Sequence, residues 1–128
     1  METEEARRME TETTPELYRA PEVLPEGFTS MFVRDELLRC FESANREFLK
    51  ILNQPVVDDQ LRGQVHQFVT QVFRACGVSF ENPTKAGILA AIDACRTGAE
   101  QMMGDKGADI IRHHYDEMMN LVARLPDV

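Results

Sequence analysis

From Ser30 to Leu125 apolar residues return every three or four positions, and no window alternates apolar with polar over the length of a strand. A chain shows this period when each element buries one stripe of a helix; nothing here suits the half-buried face of a sheet. The expectation is an all-α fold.

Punctuation divides the periodic region into helices at about 30–52, 58–76, 83–103 and 105–125. Ser30 is the expected N-cap of the first, Asp35 and Glu36 suit its early turns, and Asn53-Gln54-Pro55 ends it. The second starts near Asp58 and stops at Gly77, a residue suited to a left-handed C-terminal stop. Asn82-Pro83 opens the third, and Gly104 closes it. The run GDKG makes the corner, and Pro126 ends the fourth. Four amphipathic rods joined by short corners most simply give an up-down-up-down four-helix bundle. Nothing repeats at a fixed period, which disfavours a solenoid.

Residues 1–29 have a different composition. They hold eight acidic residues against Arg7, Arg8 and Arg19, a balance of −5, while the remaining fourteen acids and eleven bases give −3. Three prolines and few apolar residues cannot offset the entropy of ordering such a segment. The expected organisation is an acidic, largely disordered and flexible tail, 1–29, ahead of one helical-bundle domain, 30–128. Deleting the tail should then leave stability nearly unchanged. The stretch LYRAPEVLPEGF, Leu17 to Phe28, is the one part apolar enough to lie extended against the body.

Composition also narrows function. An acidic arm on a nearly balanced body, without a basic stripe or stacking aromatics, argues against nucleic acid as partner. No apolar run approaches the ~20 residues needed to span a bilayer. The first residues lack the apolar core of a secretory signal, so a cytoplasmic location is expected. Cys40, Cys76 and Cys95 are odd in number and lack CxxC spacing, as expected of free, packed thiols.

The stretch DIIRHHYDEMM, Asp109 to Met119, is the most chemically suggestive. With Ile111 at zero and 100° per residue, Met118, Val122 and Leu125 fall within about 40°, His114 about 60° away and His113 near 200°. His113 is expected in a solvated ladder with Asp109 and Glu117, and His114 at the edge of the core. If GDKG is a tight hairpin, residues level across the last two helices have numbers summing to about 210, which sets Cys95 against His114 or Tyr115. The same construction brings His66 near that level and places Ala44 and Asn45 there on the first helix. His66, Cys95 and His114 are side chains that bind zinc or another transition metal, so a mid-bundle metal or small-ligand site is the alternative reading. The plainer reading is an inert packed cysteine and two structural histidines, with no cofactor. His66 lies about 100° from the centre of its apolar stripe, which weighs against the trio. HExxH, paired CxxC, the Glu-x-x-His of di-iron bundles and any nucleophile elbow around Ser30, Ser43 or Ser79 are missing.

Each methionine doublet must turn one member from the core. Met103 and Met119, with Phe32, Leu38 and Phe73, are candidates for an adaptable apolar surface. The leading expectation is a non-catalytic helical interaction or regulatory module that binds a protein partner or itself as a homodimer.

Overall fold

The computed structural model describes residues 17–126, and every regular element among them is helical. Helix α1 spans Ser30–Ile51, α2 Asp58–Ala75, α3 Lys85–Met103 and α4 Ala108–Val122. A 3-10 turn, Gly104–Gly107, joins α3 to α4, so helical structure is continuous from Lys85 to Val122. By chain path there are three helical stretches, the last sharply bent, rather than four clearly separate rods.

That bend is a glycine property. Gly104 sits at φ 60° and ψ −154°, a region open almost only to a residue without Cβ. Gly107 lies so close to Met103 that a Cβ there would come 2.5 Å from the methionine Cβ. Gly104→Ala is expected to lower the unfolding free energy by roughly 1–3 kcal/mol. Urea denaturation measures this, and an unchanged midpoint would refute the strain argument.

The ends of α1, α2 and α3 lie close to the expected positions, with small shifts in their caps. Thr29, not Ser30, is the N-cap of α1 and makes no side-chain cap bond. Helix α3 starts after Thr84, whose Oγ1 accepts the Gly87 amide at 3.0 Å. Pro83 is buried in the preceding connection. Gly77 stops α2 with φ 71°, and the Val78 amide donates back to the Phe73 carbonyl at 2.9 Å.

Helices α1 and α3 each pack on all the others, whereas α2 and α4 do not meet. Phe41 and Phe68 stack with ring centroids 5.0 Å apart, joining α1 to α2. The Phe68 ring lies over Gly98, where a Cβ would approach within 2.8 Å, so this glycine lets α3 close against α2. Arg96 lies over the Tyr115 ring at 4.7 Å, which confirms that α3 and α4 fold back on one another near the expected level.

Two of the five residues expected on an adaptable surface are core. Phe73 is fully buried, and Met103 is buried while Met102 is exposed. The connection after α2 covers Phe73 with Phe80, their rings 5.1 Å apart edge to face. The 3-10 turn folds over Met103. Phe32, Leu38 and Met119 are partly buried against the core. Helical projection could not show either covering, because both are made by non-helical or bent chain.

The described part of the tail is also packed. Tyr18, Ala20, Leu24 and Phe28 lie against the core, so residues 17–29 form a strap on the helical body. Within LYRAPEVLPEGF, residues 18, 20, 24 and 28 meet the body, while the chain bends at 22–23 and turns at 26–27. Residues 1–16, which carry most of the acidic arm, lie outside the described residues. No helix among the described residues is long and apolar enough to cross a membrane.

Candidate functional site

Strap residues 18–21 lie in a groove between α1 and α4, and side chains of the body hold their main chain. The Tyr18 amide donates to Ser43 Oγ at 3.0 Å, and the Tyr18 carbonyl accepts from His113 Nε2 at 2.8 Å. The Ala20 amide donates to Glu117 Oε1 at 2.7 Å. Arg124 Nη1 donates to the Pro21 carbonyl at 3.0 Å. His113 and Glu117 are four apart and Arg124 lies seven further on, so all three fall on one stripe of the α4 path. This stripe is the edge on which a solvated ladder was expected. His113 is half-buried beneath the strap, and Glu117 is engaged by it. Asp109 pairs instead with Arg112 at 2.9 Å.

One strap side chain is gripped as firmly as the main chain. The Tyr18 hydroxyl donates to Glu36 Oε1 at 2.6 Å. Burial, then this bond and the Glu36 charge, push the phenol above its ordinary range, so it remains a neutral donor.

Beneath the strap the bonds have a defined direction. His114 Nδ1 lies 2.7 Å from the Ile110 carbonyl, which can only accept, so this nitrogen carries the proton. Nε2 is then the acceptor, and Ser43 Oγ donates to it at 3.0 Å. The Tyr18 amide, the Ser43 hydroxyl and the His114 imidazole therefore form one chain from strap to core. A serine bonded to a neutral imidazole has the donor pattern of an activated nucleophile. Here the serine oxygen is already occupied by the strap amide, and a backbone carbonyl stands where a triad would place a carboxylate.

Burial lowers the affinity of His114 for a proton below that of a free histidine, with the His113 charge acting in the same direction. The unfolded chain thus binds a proton that the folded chain refuses once the pH falls below about 6.5. The stability contributed by neutral His114 is present above that pH and is lost on acidification, by at most about 1.4 kcal/mol per pH unit. Denaturation at pH 7 and pH 5.5 should show this loss in the natural chain. His114→Gln should lessen the difference, and an equal pH effect in both chains would refute the assignment.

The predicted ligand layer is only partly assembled. Cys95 and His114 line a cavity of about 40 Å³ between α1, α3 and α4, together with Cys40, Ala44, Ile92 and Met118. His66 is exposed and lines a separate charged groove between α1 and α2, beside Arg39, Arg46 and Arg62. Its ring stands edge-on to Phe80, with centroids 5.6 Å apart. The level estimated for His66 was of less consequence than its angle on α2, which turns it from the centre. No group of three or more His, Cys, Asp or Glu side chains placed to hold a metal occurs among the described residues. Burial pushes the Cys95 thiol up to about 12 and the Cys40 thiol higher still. Both are held as neutral thiols, which are poor nucleophiles and poor ligands.

Of the strap's partners, His113 and Glu117 were expected on one stripe, though as a solvated ladder and not beneath a strap. Tyr18 carried a faint signal, as an aromatic residue in an otherwise acidic, proline-punctuated arm. Ser43, Glu36 and Arg124 carried no sign of a contact with the arm.

The fold and this site together define a class: an all-helical body whose α1–α4 groove holds residues 18–21 of its own chain. Set beside known proteins, the chain matches no family model, no curated protein and no solved structure.

Proposed function

We propose that this protein is a non-catalytic helical interaction module, built as an up-down-up-down four-helix bundle, that self-associates and is regulated by its N-terminal arm. The observation that carries this reading is the strap in its groove. Four main-chain groups between Tyr18 and Pro21 are each held by a side chain of the body, much as a protein binds a peptide. The surface offers a second support. Seven large apolar residues stay exposed among the described residues, and four of them, Ile51, Leu52, Val57 and Met102, lie at or beside the corners that join α1 to α2 and α3 to α4. Apolar residues gathered there favour contact with another protein surface. The neutral buried thiols and the covered Ser43 favour binding over catalysis.

Light scattering of the full chain across a wide concentration range tests the reading, together with capture of partners on immobilised full chain. The mean mass is expected to rise with concentration. A monomer at every concentration that also captures no protein would overturn the proposal.

A further inference from the structure

We infer that strap residues 17–21 exchange between two copies of this chain, each copy's α1–α4 groove holding the arm of the other. The inference rests on the self-association proposed above and identifies the surface that produces it.

The groove recognises main chain at Tyr18, Ala20 and Pro21, and one side chain, the Tyr18 phenol on Glu36. None of these contacts depends on the strap being joined to the body that holds it. A second copy's residues 17–21 are the occupant whose fit the structure documents directly, atom by atom.

The connecting segment can act as the hinge. Glu22, Val23, Pro25, Glu26 and Gly27 are exposed, and Val23 keeps 87% of its surface in solvent. Gly27 has φ 73°, a left-handed conformation that marks the turn returning the chain to α1. Straightening this turn lifts Leu24 from the core and leaves Phe28 in place, its ring 5.5 Å from Phe32 of α1. An exchanged pair repeats the strap contacts of the single chain, so those contacts nearly cancel between the two states. What remains is the change in packing at the hinge set against the entropy of association, a balance that can make exchange a low-cost route to a closed pair. Net charge −8 opposes the approach of two copies, so added salt should favour the pair.

The test uses full-length chains and reads mass by light scattering. Tyr18→Ala spoils the strap and keeps the groove, whereas Glu117→Arg spoils the groove and keeps the strap. Each alone spoils the closed monomer and the exchanged pair alike, so its own dimerisation should change less than tenfold, with helical circular dichroism retained. Their equimolar mixture should dimerise more tightly than either, because one sound strap then meets one sound groove. Tyr18→Phe, which keeps the ring and loses the Glu36 bond, takes the place of the alanine variant in the mixture should that variant not fold, with a smaller gain expected. A mixture no tighter than its components overturns the exchange and leaves self-association through another face standing. A natural chain that remains a monomer overturns both.

Discussion

Removal of residues 1–29 is expected to lower the unfolding free energy by roughly 2–4 kcal/mol, where composition alone predicted almost no change. The favourable side is visible in the strap. Tyr18, Leu24 and Phe28 are partly buried against the core, and each returns apolar surface to water when removed. Four side chains of the body, Ser43, His113, Glu117 and Arg124, lose main-chain partners, and each such bond contributes about 0.5–1.5 kcal/mol net of its exchange with water. The entropy of ordering the strap opposes these gains, so the net effect is smaller than their sum. His114 gives the loss a local signature. Without the Tyr18 amide above it, the Ser43 hydroxyl meets water, and the imidazole below becomes easier to protonate. Urea unfolding of the shortened chain measures the stability, and the proton resonances of the His114 ring followed against pH measure the rest. An unchanged urea midpoint would show that the strap rests on the body without holding it.

Phe73→Ala should cost roughly 3–5 kcal/mol, the largest effect expected from a single substitution in this chain. Phe73 is fully buried near the end of α2. Its ring meets Phe80 edge to face, and Phe80 in turn lies 5.0 Å beneath the Arg34 guanidinium. Arg34 Nη1 also donates to the Phe80 carbonyl at 2.6 Å. Truncation therefore leaves a void beneath the segment that covers the core and loosens the link from α2 through Phe80 to α1. Phe73→Leu, which keeps most of the volume, should cost less than half as much. Equal losses for the two variants in denaturant unfolding would show that volume at this site is not what matters.

These two sites mark where sequence reasoning succeeded and where it did not. The stripes of α1 and α4 were legible because helical period and face are properties of one element. The level of Cys95 with the middle of α4 was legible because a short corner fixes register between neighbours. Phe73 was misassigned because its cover, Phe80, belongs to an irregular connection without periodicity. His66 was drawn toward the centre by register, and its angle on α2 holds it outside. For His113 the projection placed the ring on the outer face correctly, and a segment of another kind then covered that face.

Sequence by itself determined that the chain is helical, where its corners fall, and that His114 stands at the margin of the core. These follow from spacing, glycine and proline, which act within a few residues. Only the tertiary structure decided that the strap lies in the α1–α4 groove and that Ser43, His113 and Glu117 hold it. Ala20 and Glu117 meet across 97 residues. Such a contact leaves no period in the chain, because a main-chain amide is the same at every position and any carboxylate brought close enough will accept from it.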